Sequence, residues 1–157
     1  MTGDDSAQLR FPSVGDRAGR PNTTALLGEA FLRQGAHIAM TVAQAGFPQP
    51  RSYSLVFAHI DRERGSRLTE LAARTGVTPQ SMSDVVNAMI RDGYVERVPD
   101  PDDGRAKRIV LTARGEAGMA EGDRVIAALE ERYAEVLGAD DLETLRTLLR
   151  RIVEARF

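Results

Sequence analysis

Apolar residues recur with a helical period in the middle of the chain. Between Pro79 and Asp92 they follow the i, i+3, i+4, i+7, i+8 spacing of a helix with one buried stripe, at Met82, Val85, Val86, Met89 and Ile90. A shorter helical segment precedes it and ends at Gly76, a residue that easily adopts positive φ. Thr78 and Pro79 supply a cap and a first-turn proline. The pattern therefore predicts two helices joined by a tight turn.

Two segments with strand-like composition follow the second helix. Residues 94–98 and 107–111 are rich in β-branched residues, which predicts two strands of a hairpin. The intervening residues 99–106 are rich in Pro, Asp and Gly, which predicts a long loop with Arg105 near its apex. Helix, turn, helix and hairpin in this order are the sequence form of a winged helix-turn-helix domain.

Helical patterns also lie on the N-terminal side of this region. Asn22 or Thr23 can cap a helix of about six turns that stops at Gly46, and Pro50 begins a second helix predicted to end at Gly65. A short strand at residues 67–68 is expected to pair with the hairpin. The segment before Asn22 has few large apolar residues, and we expect it to be a mobile tail.

Two further helices are predicted on the C-terminal side. Thr112 can cap the first, Gly138 stops it, and Asp140 with Glu143 resembles a capping box for the second. Long helices with apolar stripes at both ends of a chain pack most economically with one another and with a second copy, which predicts a two-fold dimer.

The predicted fold class is mainly α with a small β-hairpin wing. The expected organisation is a tail at 1–21, a dimerisation helix at 22–47, a winged helix-turn-helix domain at 48–112 and C-terminal dimerisation helices at 113–157.

Composition and charge narrow the function. The 157 residues carry a net charge of −2, yet residues 62–115 hold ten basic and eight acidic side chains, so the positive excess lies on the predicted winged domain. The sequence has no apolar run of membrane-spanning length and no signal segment, which predicts a cytoplasmic protein. The chain has only two histidines, so a histidine-rich metal site is not available within one chain, while a mixed site with carboxylates stays open as a weaker alternative. The absence of cysteine excludes thiolate metal sites and disulfides, and no cofactor is expected.

The outward face of the second helix carries short hydroxyl and amide side chains. Such groups can bind base edges, although a solvated helix face has a similar composition. A basic prong beside that face favours DNA, because an arginine suits a narrow minor groove.

The stretch from Leu71 to Thr112, with its Asp103-Gly104-Arg105 triplet before a Leu-Thr pair, resembles the MarR (multiple antibiotic resistance regulator) family of bacterial transcription factors. The resemblance implies a dimer that binds double-stranded DNA at a pseudo-palindromic operator. It implies that the second helix enters the major groove and that Asp103 braces Arg105 in the minor groove. The implied DNA-binding set is Thr78, Pro79, Gln80, Ser81, Ser83, Asn87, Asp103, Arg105 and Lys107.

A small aromatic or phenolic effector is also implied by the resemblance. The residues expected to border its pocket are His37, Met40, Tyr53, Phe57 and His59, although each of them can equally be an ordinary core or surface residue.

The sequence also bears on two other classes of function, an enzyme and an interaction module. The sequence has no nucleophile elbow, no phosphate-binding glycine loop and no catalytic residue set, so an enzyme is not expected. A winged helix used purely for protein interaction or dimerisation stays open, because a fold does not fix a function. Arg105 distinguishes the interaction module from a DNA-binding regulator, since an interaction module has no need of a basic prong. The preferred hypothesis is a ligand-responsive repressor.

Overall fold

The computed structural model describes residues 22–155, and the predicted tail at 1–21 lies outside them. Within these residues the chain divides into two compact units, 22–37 and 38–155. The elements are α1 (Thr23–Gln44), a 3-10 turn (Arg51–Tyr53), α2 (Ser54–Phe57), β1 (Ser66–Arg67), α3 (Leu68–Thr75), α4 (Pro79–Arg91), β2 (Val95–Asp100), β3 (Asp103–Leu111), α5 (Ala113–Leu137) and α6 (Ala139–Glu154).

Helix α1 begins and ends close to where the sequence predicts. The Asn22 side chain caps it, since Asn22 Oδ1 accepts a hydrogen bond from the backbone N–H of Ala25 at 2.9 Å. The helix ends at Gln44, two residues before Gly46, which adopts a φ of 97°. The predicted N-terminal helix is therefore confirmed.

The predicted helix from Pro50 to Gly65 is wrong in its length. Helix α2 ends at Phe57, because the Asp61 carboxylate accepts the backbone N–H groups of Glu63 and Arg64 at 3.0 and 2.9 Å and closes a turn. Gly65 then passes under β3 with a φ of 68°, at a point where a Cβ atom would lie 2.6 Å from the Ile109 carbonyl oxygen. Only glycine fits this crossing.

The three strands form an antiparallel sheet in the order β1-β3-β2. Ser66 pairs with Ile109, and Val95 pairs with Leu111. The predicted short strand is present one residue earlier than expected, at Ser66–Arg67. This sheet closes one side of a core formed by Tyr53, Val56, Ile60, Leu71, Ala72, Met82, Val86, Met89, Tyr94, Val95, Ile109 and Met119.

The helix-turn-helix is confirmed in detail. Gly76 ends α3 in the left-handed conformation with a φ of 71°. The Thr78 side chain caps α4 by accepting the Ser81 N–H at 3.1 Å, and Pro79 occupies the first turn. Met82, Val86 and Met89 are fully buried, so the predicted stripe faces the core.

The hairpin differs from its prediction, because residues 99–106 do not form a long loop. Strand β2 continues to Asp100 and β3 begins at Asp103, so the turn is only Pro101-Asp102. The buried Asp100 carboxylate accepts the Asp102 N–H at 2.9 Å and organises this tight turn. Arg105 therefore lies on β3, two residues beyond the start of the strand, and not at the apex.

Thr112 caps α5, as predicted, by accepting the Gly115 N–H at 3.1 Å, and α5 ends next to Gly138. The predicted capping box of Asp140 and Glu143 is wrong. Helix α6 already begins at Ala139 without a side-chain cap, and Glu143 pairs instead with arginines further along α6.

The large apolar side chains that are exposed among residues 22–155 lie on α1, α5 and α6. They are Leu26, Leu27, Phe31, Met40, Ile126, Val136, Leu137, Leu145, Leu148, Ile152 and Val153. No helix in this part of the chain combines the length and hydropathy needed to cross a membrane. The exposed apolar surface is thus a property of the long helices and not of the winged region.

Candidate nucleic-acid interface

The face of α4 opposite the core is polar and accessible. Gln80, Ser81 and Asp84 are exposed, while Ser83 and Asn87 are half-buried. The arrangement follows from the helical period, because burial of Met82 and the residues one and two turns later directs the intervening residues outward. The face offers hydroxyl and amide groups but no basic side chain before Arg91.

The N-terminus of α4 is held rigidly. Thr78 Oγ1 lies 2.9 Å from Ser81 Oγ, in addition to accepting the Ser81 N–H. Pro79 is exposed at the first turn. The start of a helix carries partial positive charge and unpaired N–H groups, so this end of α4 favours an anion such as a phosphate.

Two amide side chains on α4 have charged partners. Gln80 Nε2 donates a hydrogen bond to Asp84 Oδ1 at 3.2 Å. Asn87 Oδ1 accepts one from Arg97 Nη2 at 2.9 Å. Arg97 lies on β2 and is exposed, and its hydrogen bond to Asn87 joins α4 to the hairpin. Arg97 carries no signal in the sequence, because its partner is ten residues away and becomes adjacent only when β2 packs beside α4.

The hairpin, which we call the wing, carries two exposed basic side chains on β3, Arg105 and Lys107. Neither forms a salt bridge within the described part of the chain. Asp103 Oδ1 accepts the backbone N–H of Arg105 at 3.1 Å. Asp103 thus contacts the main chain at Arg105 and leaves the guanidinium group free to reach outward.

A buried carboxylate lies at the base of the wing. Arg67 Nε donates a hydrogen bond to Asp100 Oδ2 at 2.6 Å, and Arg108 Nε lies 3.1 Å from Asp100 Oδ1. Burial acts to raise the pKa of Asp100, but the Asp102 N–H and the two guanidinium groups outweigh it and lower the pKa to about 2. Asp100 is therefore ionised at neutral pH and joins β1, β2 and β3 at one point.

The free cations of the wing contrast with most arginines on the long helices, which form salt bridges. Arg124 bonds Glu121, and Arg132 bonds Glu135 at 2.7 Å. Arg146 contacts both Glu130 and Glu143. Neutralised pairs attract a polyanion only weakly. Residues 95–111 hold four basic and four acidic side chains, so the attraction of the wing for a polyanion comes from the exposed, unpaired Arg105 and Lys107 and not from its net charge.

The residues predicted to border an effector pocket lie in different environments. Tyr53 is 1% exposed, and its hydroxyl group donates to Asp92 Oδ2 at 2.5 Å. Phe57 is half-buried, with its ring edge-on to Tyr94. His37, Met40 and His59 are exposed. Tyr53 lies in the core and Phe57 packs against it, whereas the other three residues face solvent. The assignment of all five residues to an effector pocket stays a prediction.

A cleft of about 510 Å³ opens beside Tyr94. The Arg114 guanidinium group lies 4.8 Å from the Tyr94 ring centroid and 5.6 Å from that of Phe47. Gln49 Nε2 is buried and has no hydrogen-bond partner within residues 22–155. This combination cannot be predicted from sequence spacing, because the cleft forms only where the loop after α1 meets the start of α5. Residues 22–155 contain no group of three or more side chains suited to hold a metal ion.

Comparisons with known proteins agree with this architecture. The MarR family model matches residues 49–106. The HTH-type transcriptional regulator PetP of Rhodobacter capsulatus is 32% identical over 117 residues, which cover 66% of this chain and 70% of PetP.

Solved structures show the same fold. The transcriptional repressor CouR, bound to a 23-mer DNA duplex, matches with a TM-score of 0.69 and 26% identity over 85% of this chain and 93% of that one. Apo MarR from E. coli matches with a TM-score of 0.65 and 20% identity over 83% and 96% of the two chains. With its helix-turn-helix and wing, the chain belongs to the MarR family of DNA-binding transcriptional regulators.

Proposed function

We propose that this protein is a homodimeric, cytoplasmic repressor that binds a pseudo-palindromic operator and responds to a small effector. The observation that carries the proposal is the pairing of two features in one unit. An outward hydrogen-bonding face on α4 lies beside a wing with unpaired cations at Arg105 and Lys107. Neither feature has a role in the core.

The recognition helix α4 enters the major groove in this proposal. Its contacts come from Thr78, Pro79, Gln80, Ser81, Ser83 and Asn87, whose hydroxyl and amide groups suit base edges and phosphates. On the wing, Arg105 enters the minor groove, Lys107 neutralises a phosphate, and Asp103 holds the strand that presents them.

The exposed apolar side chains of α1, α5 and α6 support a dimer. On α6 they recur as a stripe at Leu145, Leu148 and Ile152, each at least 40% exposed in the single chain. A second copy that covers this stripe produces a two-fold arrangement. The two recognition helices then meet half-sites about one DNA turn, ~10 bp, apart. Occupation of a promoter by such a dimer obstructs transcription.

The cleft beside Tyr94 is our preferred site for an aromatic effector with an acidic group. Arg114 offers a guanidinium group above two aromatic rings, and Gln49 offers an unused N–H donor. The Asp92 carboxylate on the same cleft favours a ligand whose acidic group lies on the Arg114 side. Arg114→Met is expected to abolish effector-induced release of DNA while leaving DNA affinity within twofold.

The DNA-binding proposal is tested by fluorescence anisotropy with the duplex upstream of this protein's own gene. Loss of one groove-inserted arginine costs about 1–3 kcal/mol, so Arg105→Ala should weaken binding by about 5- to 150-fold. The matched control is Arg132→Ala, which removes an exposed but paired arginine on α5. Equal affinities for the Arg105 and Arg132 variants would contradict the wing assignment. An affinity that is equally weak for every duplex would favour an interaction module.

The dimer is tested by sedimentation analysis. Leu148→Glu places a charge in the apolar stripe of α6 and should produce monomers, whereas Thr147→Glu, one residue away and outside the stripe, should not. A monomeric variant that bound the full operator as tightly as the parent would rule out the two-fold model.

A further inference from the structure

The two amide side chains on the outward face of α4 are each held at one end by a charged group. Gln80 donates to Asp84, one turn later on the same helix, at 3.2 Å. Asn87 accepts from Arg97 of β2 at 2.9 Å. Asp84 and Arg97 are exposed, and neither forms a salt bridge with any residue between 22 and 155. The Asp84 carboxylate and the Arg97 guanidinium group therefore bond to the amides and not to an opposite charge.

The chemistry of the partners fixes which way each amide points. A carboxylate only accepts hydrogen bonds and a guanidinium group only donates them, whereas an amide does both. A half-turn of Gln80 would place its oxygen against the Asp84 carboxylate, and a half-turn of Asn87 would place its NH₂ group against Arg97. The flipped amide lacks the charge-assisted hydrogen bond to its partner. Its population is therefore about tenfold lower than that of the orientation seen in the structure.

Asp84 needs an explanation of its own, because a carboxylate on a DNA-facing helix repels phosphates. Helix α4 has no cation before Arg91 to offset this charge. The only side-chain hydrogen bond or salt bridge of Asp84 within the described residues is the hydrogen bond from Gln80. Asp84 thus lowers the affinity for DNA and bonds only to Gln80. Its presence is explained if it improves the selectivity of Gln80 for one base.

We propose that Asp84 and Arg97 are positioning residues for base recognition, which fix the order of donor and acceptor that Gln80 and Asn87 offer to the major groove. The inference rests on the proposed function, in which α4 lies in that groove. Each base edge shows donors and acceptors in a defined order. A fixed amide matches one orientation of a base pair, whereas a freely rotating amide matches both.

The experiment is a selection from duplexes with 20 randomised base pairs, followed by sequencing. It uses the full-length protein, Asp84→Asn, Arg97→Met, the conservative Arg97→Lys and the reference Asn87→Ala. Asparagine at position 84 keeps the shape but both donates and accepts, so it no longer fixes Gln80. Affinities for the selected duplex and a shuffled duplex are measured at several salt concentrations.

Asp84→Asn should reduce discrimination at one base pair by about tenfold while raising the affinity for the shuffled duplex, because a repelling charge is removed. Arg97→Met should relax a different base pair, the one relaxed by Asn87→Ala, and Arg97→Lys should retain the preference. Combining Arg97→Met with Asn87→Ala should relax that base pair no further. Circular dichroism checks that each variant is folded.

Two results would overturn the inference. In the first, Arg97→Met weakens the selected and shuffled duplexes equally and lowers the salt slope by about one, which makes Arg97 a phosphate contact. In the second, the variants enrich the same sequences as the parent with the same discrimination. If the parent itself enriches no sequence, the proposed function fails as well, so the two failures are distinguishable.

Discussion

Replacing Gly115 by alanine should destabilise the protein, although alanine is normally the better helix residue. Gly115 lies in the first turn of α5, directly against the start of the wing. A Cβ atom there would be 2.0 Å from the Tyr94 carbonyl oxygen and 3.2 Å from Leu111 Cδ2. Cβ atoms essentially never approach another heavy atom within 3.0 Å, so one side must move by about 1 Å.

Tyr94 has little freedom to give way. It is fully buried, its carbonyl oxygen accepts the Thr112 N–H at 3.1 Å, and its hydroxyl group donates to the Pro48 carbonyl oxygen at 2.9 Å. Overpacking of this kind costs about 1–3 kcal/mol. At about 2–4 °C per kcal/mol for a chain of this length, the expected fall in Tm is about 2–12 °C.

Gly122→Ala is the matched control on the same helix. Its Cβ atom would meet nothing within 4 Å, so the change should stabilise α5 by about 0.5–1 kcal/mol and raise Tm. Both variants are compared with the parent by calorimetry at one protein concentration, because association contributes to apparent stability. A Gly115→Ala variant as stable as the parent or more stable would refute the close-approach argument.

Three further substitutions test the ionisable and capping groups. The pKa of Asp100 is about 2, against an ordinary value of 3.8. The contribution of its carboxylate to stability is therefore present above pH 3.8 and lost as pH falls through 2. Asp100→Asn should flatten the stability profile between pH 4 and 2. Burial and the hydrogen bond to Asp92 raise the pKa of Tyr53 from 10.0 to about 12, so the parent should lose stability as pH rises from 10 to 12 and Tyr53→Phe should not. A parallel slope for either variant and the parent would contradict the assignment. Thr112→Val removes both the cap of α5 and a 2.6 Å hydrogen bond to the Gly93 carbonyl oxygen, and urea denaturation should show a loss of about 1–3 kcal/mol; no change would exclude this dual role.

Local chemistry is the part of this fold that the sequence predicts well. Thr78-Pro79, Gly76 and Thr112 act within one helical turn of their own position, so their roles can be inferred without knowing the rest of the structure. The alternation of apolar and polar residues in α4 likewise identifies its buried stripe and its outward face. The prediction of the winged helix-turn-helix rests mostly on these local features.

The incorrect predictions have long-range causes. Asp100 organises the tight wing turn locally, but its buried carboxylate is paired with Arg67, which lies 33 residues earlier, and composition alone suggested a loop. The early end of α2 is followed by the Asp61 turn and then by the crossing of Gly65 beneath β3, and this crossing forms only through tertiary packing. Arg97 was missed for the same reason, since its partner Asn87 becomes a neighbour only through tertiary packing.

The strand order leaves the wing with open sheet edges, whose tendency to aggregate is reduced by a charged residue and a proline. Strand β1 covers only Arg108 and Ile109, so the outer edge of β3 nearer the turn has no pairing strand, and β2 forms the opposite edge of the sheet. Open edges invite another hairpin to add on and begin aggregation. Lys107 on one edge and Pro99, which lacks an N–H, on the other discourage such stacking. The wing that is proposed to grip a polyanion is thus also protected from its own copies when the protein is concentrated.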